Sequence, residues 1–170
     1  MIIGFCGPAG AGKSTAALLA SAQTGLPILP FAGTLKRMLV AMGVPYANMH
    51  GTPAQKAAPL DILGDKSARY AMQTLGTEWG RNLIADDIWV RAWSARVPPA
   101  GCIVDDVRFP NEVAEIHRLG GIVLRVIRSR DEILIPPTHV SENFSALDYD
   151  FCIDNFGNEK DLSATIKQII

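Results

Sequence analysis

The chain has 170 residues, 48% of them hydrophobic and 19% charged, with a formal net charge of −1. That length is enough for one domain with a sizeable core, and the composition excludes wholesale disorder. The near-neutral balance excludes an overall basic footprint for nucleic-acid polymers, and no apolar run approaches the ~20 residues of a membrane span, so neither partner is expected. Met1 leads at once into an apolar run, which does not fit a signal peptide. Cys6, Cys102 and Cys152 lie in apolar runs without a CxxC or His/Cys cluster and read as reduced thiols of a cytoplasmic protein.

Apolar runs alternate with helical patterns along the chain, which predicts an α/β protein with a parallel sheet of about five strands flanked by helices. Ile2–Cys6 is the first strand and residues 14–22 the first helix. Residues 26–29, between Pro27 and Pro30, read as a short second strand. Thr34 can cap a helix carrying Leu35, Met38, Leu39 and Met42 on one face and stopped by Gly43. Residues 44–63, with Pro45, Pro53 and Pro59, read as a loop or mobile insertion. Residues 66–76 and 78–95 look helical, with breaks at Gly76-Thr77 and Asp86-Asp87. Cys102–Val104 is a buried strand, and Pro110 starts a helix with Val113, Ile116 and Leu119 inward. Ile122–Ile127 is the next strand, residues 128–143 form an irregular polar stretch suited to a lid, and residues 151–153 make the last strand. Asn158 caps a final helix with Leu162, Ile166, Ile169 and Ile170 on one face.

The most informative run is Gly7-Pro8-Ala9-Gly10-Ala11-Gly12-Lys13-Ser14-Thr15. Its strand, glycine loop and helix order is the context of a P-loop, whose backbone N–H groups converge on phosphate oxygens at a helix N-terminus. Lys13 supplies a cation for the β- and γ-phosphates, and the Ser14 hydroxyl a ligand for Mg²⁺. After strand Cys102–Val104 comes Asp105-Asp106-Val107-Arg108-Phe109-Pro110-Asn111-Glu112. An acid at the end of an apolar strand is the Walker-B arrangement; Asp105 or Asp106 could hold Mg²⁺ opposite Ser14, and the spacing does not choose. Arg108 would stand beside them for an anionic group, while Asn111 and Glu112 read as first-turn helix residues. Trp79 and Arg81, with Arg69 upstream, offer a flat ring and a guanidinium fork, although a tryptophan more often packs than binds. Arg128 and Arg130 could close over a transferring phosphoryl group, Arg125 lies inside a strand, and His139 reads as a loop residue. There is no N/T-K-x-D guanine motif and no L-S-G-G-Q, which argues against a GTPase and a transporter ATPase.

Four further runs follow the P-loop in order: Phe31-Ala32-Gly33-Thr34-Leu35-Lys36, Leu75-Gly76-Thr77-Glu78-Trp79-Gly80-Arg81, Asp105 to Glu112 as above, and His139-Val140-Ser141-Glu142. Together, over residues 1–158, they resemble the bacteriophage-type deoxynucleoside monophosphate (dNMP) kinases. The resemblance implies an adenylate-kinase-like P-loop NTPase fold in a single domain, with an acceptor-binding helical region at about 31–95 and a lid at about 128–143. It implies transfer of the ATP γ-phosphate, with Mg²⁺, to a deoxynucleoside 5′-monophosphate in the cytoplasm. By that similarity Phe31, Lys36, Arg69, Trp79, Arg81, Asp106 and Arg108 shape the acceptor site. Gly10, Ala11, Gly12, Lys13, Ser14 and Thr15 cradle ATP, with Asn155 and Gly157 near its adenine. Ser14 and Asp105 hold the metal, and Lys13, Arg81, Arg108, Arg128 and Arg130 stabilise the charge in flight. Gly33, where an acid is expected, and Ser129-Arg130-Asp131, where a proline-glycine turn is expected, depart from the family pattern.

A monophosphate is already an ionised nucleophile near pH 7, its second pKa being about 6, so arginines, Lys13 and Mg²⁺ suffice without a general base. Two rivals stay open: a small P-loop metabolite kinase acting on dephospho-coenzyme A or a sugar acid, where Asp105 or Asp106 would act as base, and an ATP-binding switch module that barely turns over. A homodimer could form through residues 44–63 or 66–95.

Overall fold

The computed structural model describes residues 1–128 and 147–170. The chain divides into two compact units, Met1–Phe31 with Arg96–Ile170, and Ala32–Ala95.

The first unit is built on a parallel sheet. Its strands, numbered in chain order with the rest of the molecule, are β1 (Ile2–Cys6), β4 (Cys102–Val104), β5 (Ile122–Ile127) and β6 (Phe151–Asp154), in the spatial order β4-β1-β5-β6. Every residue of β1 is buried; a central parallel strand is covered on both faces and therefore reads as an unbroken apolar run. One face, carrying Ile3, Phe5, Leu124, Val126 and Ile153, packs against α1 (Lys13–Thr24) and α8 (Glu159–Ile169) through Ala16, Ala17, Ala20, Leu162 and Ile166. The other face meets α7 (Pro110–Arg118): a Cβ on Gly4 would stand 2.7 Å from Ile116 and 3.0 Å from Val107.

The sheet has four strands rather than five. Residues 26–29 contribute only a bridge between Ile28 and Ile103, with Leu29 N–H donating to Ile103 O at 2.7 Å and Ile103 N–H to Pro27 O at 2.9 Å. Pro27 and Pro30 have no N–H to give, so the ladder cannot lengthen in either direction. Pro110 is the first residue of α7, as expected, and Asn158 caps α8 by accepting from the Lys160 and Asp161 amides. Leu119 lies beyond the end of α7 and is exposed, not inward.

The second unit contains α2 (Gly33–Ala41), α3 (Tyr46–His50), α4 (Pro53–Ala57), a two-residue antiparallel pair β2 (Pro59–Leu60) and β3 (Lys66–Ser67), α5 (Ala68–Gln73) and α6 (Ile88–Ser94). Leu35, Leu39, Val44, Met49, Ala68 and Trp89 form its core. Only Leu35 and Leu39 of the expected α2 face are buried, and Met38 and Met42 are exposed. The 44–63 stretch is not a featureless loop. Pro45 caps α3 and Pro53 starts α4, and Thr52 with Gln55 closes a reciprocal capping box. The expected break at Gly76-Thr77 is absent: α5 runs straight into a π-helical stretch, Thr74–Ile84, which ends where the Ala85 amide bonds Gly80 O at 3.0 Å. The break at Asp86-Asp87 stands.

Candidate functional site

The phosphate loop leaves β1 at Gly7, whose φ of +132° and tight fit under Val126 O leave no room for a side chain. It enters α1 through Gly12, in the left-handed region at the N-cap. Gly10, Gly12, Lys13, Ser14 and Thr15, with Arg128 from the end of β5, line a cleft of about 270 Å³. The donors at the α1 N-terminus and the helix dipole make this a site for anions. Asn155 clamps the loop from behind: its Nδ2 donates to Ala11 O at 2.8 Å, and a Cβ on Gly12 would strike it.

Lys13 lies folded along the loop, its ammonium donating to Gly7 O at 2.8 Å and Pro8 O at 2.7 Å. This amine is lowered to about 8, by burial first and by the Arg108 guanidinium second, against the opposing pull of Cys6, Asp105 and Asp106. Burial also holds the Cys6 thiol up at about 11, so it is no thiolate nucleophile.

The two acids after β4 face different partners. Ser14 Oγ donates to Asp105 Oδ2 at 3.2 Å. Asp106 Oδ1 accepts the Phe31 amide at 2.8 Å, which ties the buried Phe31 to the end of β4. The hydroxyl and carboxylate of Ser14 and Asp105 are hard oxygen donors beside the phosphate cleft, and this pair fits a Mg²⁺ ion with most of its waters kept.

Glu112 is buried, and its Oε2 accepts the amides of Arg108 at 2.7 Å and Phe109 at 3.2 Å. The residue read from sequence as a helix-start acid is therefore the clamp that shapes the Arg108 loop. Its position three residues into the Pro110 helix was the available signal.

In the second unit, Trp79 is 38% exposed, with its ring 6.3 Å from that of Trp89. Trp89 is buried, and sequence reasoning passed it over. Its Nε1 donates to Gly76 O at 2.7 Å, and a Cβ on Gly80 would come within 2.6 Å of it. The Gly76 and Gly80 of the tryptophan-containing run thus serve Trp89. Arg81 is buried, not solvated, and one Nη donates to Asp86 O at 2.7 Å. Lys36 stands half-buried on α2 and Arg69 exposed on α5. Gly157 sits just before the α8 cap against Asp161. Arg130 and the His139-Val140-Ser141-Glu142 run, with most of the expected lid, lie outside the described residues. No helix among the described residues is long and apolar enough to cross a membrane.

No protein-family model matches the chain. It is 29% identical over 157 residues to a protein of Acanthamoeba polyphaga mimivirus named "Putative deoxynucleotide monophosphate kinase", an alignment covering 84% of this chain and 80% of that one. This relative comes from a giant virus and not a bacteriophage, and the match supports the resemblance to the deoxynucleoside monophosphate kinases and a nucleotide kinase function.

Proposed function

We propose that this protein transfers the γ-phosphate of ATP to the 5′-phosphate of a deoxynucleoside monophosphate. The observation that carries the reading is the contact of Ser14 with Asp105, across 91 residues, beside the Lys13 phosphate loop. The loop amides and Gly12 at the α1 N-terminus would bind the donor phosphates, with Gly10, Ala11 and Thr15 shaping the cradle. Mg²⁺, held by Ser14 and Asp105, would neutralise charge between the phosphates. Lys13 would exchange its two carbonyl partners for phosphate oxygens, and an anion there restores the ammonium that burial depresses. Arg108, Arg128 and Arg130 would offset charge on the moving group, with Arg81, Lys36, Arg69, Phe31, Asp106 and Trp79 on the acceptor. Asn155 and Gly157 would lie near the adenine.

The metabolite-kinase rival needs Asp105 or Asp106 as a base. Asp105 is engaged by Ser14 and Asp106 by the Phe31 amide, which favours an acceptor that brings its own ionised oxygen. The test is ADP release from Mg·ATP with deoxynucleoside and ribonucleoside monophosphates, dephospho-coenzyme A and gluconate. Turnover confined to certain dNMPs is expected. Turnover with dephospho-coenzyme A or gluconate would replace the reading by the metabolite kinase, and ATP binding without turnover would replace it by the switch module.

A further inference from the structure

Arg125 is a cation inside a strand, a place where sequence reasoning expects only packing. Its Cα pairs with Cys6 on one side and Cys152 on the other. Its neighbours Leu124 and Val126 face the α1 and α8 core, so Arg125 projects from the opposite face. That is the face of Gly4, Val107, Ile116 and α7. It is also the side from which the Arg108 loop enters α7, whereas the phosphate loop turns away from it into α1.

Among the described residues the charge has little to balance it. The guanidinium carbon lies 5.3 Å from the centroid of the Tyr149 ring, a cation–π contact. Its Nε is buried without a hydrogen-bond partner. Among the described residues no carboxylate pairs with it; Asp154, two residues beyond Cys152 on the same face, makes no ion pair there. The flanking thiols bring no counter-charge either, since burial raises both Cys6 and Cys152. A half-buried guanidinium beside a ring, with an unsatisfied donor, costs stability unless an anion completes it.

We propose that Arg125 is an anion-binding residue of this site, its guanidinium taking a phosphate oxygen of the acceptor on the α7 side of the sheet. The proposal rests on the kinase reading for the identity of the anion, but not for the existence of the subsite. Cys6, in register with Arg125, is the last residue before the phosphate loop, so the Arg125 backbone lies beside the start of that loop and outside the donor cradle.

The variants are Arg125→Met, which keeps the length and removes the charge, and Arg125→Lys, which keeps the charge and loses the fork. Arg125→Met is expected to raise the acceptor KM about tenfold or more, the loss of one charge-assisted hydrogen bond, with the ATP KM unchanged. Its melting temperature is expected to hold or rise, because an unbalanced cation is replaced by an apolar chain. Arg125→Lys should recover part of the acceptor affinity. A direct probe is inorganic phosphate, titrated by thermal shift with the phosphate loop filled by Mg²⁺ and a non-hydrolysable ATP analogue; protection in the wild type and its loss in Arg125→Met are expected. A melting temperature several degrees lower with both KM values unchanged would overturn the proposal and make Arg125 a packing residue. Equal phosphate protection in wild type and Arg125→Met would overturn it as well. If no dNMP turns over but phosphate protection still depends on Arg125, the subsite stands and the kinase reading falls.

Discussion

The two units answer differently to the same kind of sequence motif. In the sheet unit, the motif residues gather at the phosphate loop: Ser14 meets Asp105, Lys13 lies along its loop, and Asn155, expected near an adenine, closes on Ala11. In the helical unit, much of the Leu75 to Arg81 run is spent on packing: Gly76 and Gly80 accommodate Trp89, and Arg81 is held by Asp86. Phosphate binding by a backbone needs particular φ values and a particular helix start, which glycines announce. Recognition by side chains leaves no such imprint, so a conspicuous run there reads as binding when half of it is scaffold.

The largest expected effect separates the units most sharply. Lys13→Ala should lower turnover by about 10³-fold or more while the melting temperature stays within a few degrees, as measured by ADP release and thermal unfolding. A comparable loss of stability would mean that the two carbonyl contacts of Lys13 hold the loop together. Asp105→Asn should cost about 10²-fold in kcat and raise the Mg²⁺ concentration needed for half activity. Asp106→Asn would do the same only if the Ser14 pairing misassigns the two acids.

In the helical unit the prediction reverses, with stability moving before chemistry. Gly80→Ala should destabilise by about 1–3 kcal/mol through its collision with Trp89, read as a shifted denaturant midpoint. Trp79→Ala, at a half-exposed ring, should cost under about 1 kcal/mol; if Trp79 serves the acceptor base, its effect will appear in the acceptor KM.

Acid–base behaviour gives the smallest and most graded test. Lys13 sits at about 8 against an ordinary 10.5, so the folded ligand-free protein releases this proton before the unfolded chain does. Between those values the unfolded chain binds more protons, and the contribution of Lys13 to stability rises with pH. Nucleotide affinity moves the other way, falling up to about tenfold per pH unit above 8 as the cation is lost. Lys13→Arg should flatten that fall, as isothermal titration from pH 7 to 10 would show.

The strands, the α1, α7 and α8 helices and the phosphate loop were legible because burial on both faces and glycine geometry leave strong marks. The 26–29 segment misled because Pro27 and Pro30 flank an apolar pair that forms one bridge and no ladder. The continuity of α5 into the π-helical stretch was hidden because Gly76-Thr77 reads as a break, while Trp89, thirteen residues on, stabilises Gly76 through its carbonyl. The choice between Asp105 and Asp106 could not be read from the spacing, since adjacent residues diverge only when the backbone direction is known. Arg125 was discounted for lying inside a strand; only the strand register shows that it faces the α7 side rather than α1 and α8.

The most direct test follows the phosphate itself. The protein is incubated with Mg²⁺, ATP labelled in the γ-phosphate and a deoxynucleoside monophosphate, and the products are separated. Label recovered in the deoxynucleoside diphosphate, absent with Lys13→Ala, is the predicted result. Label recovered as inorganic phosphate, at a rate indifferent to the monophosphate, would contradict the account.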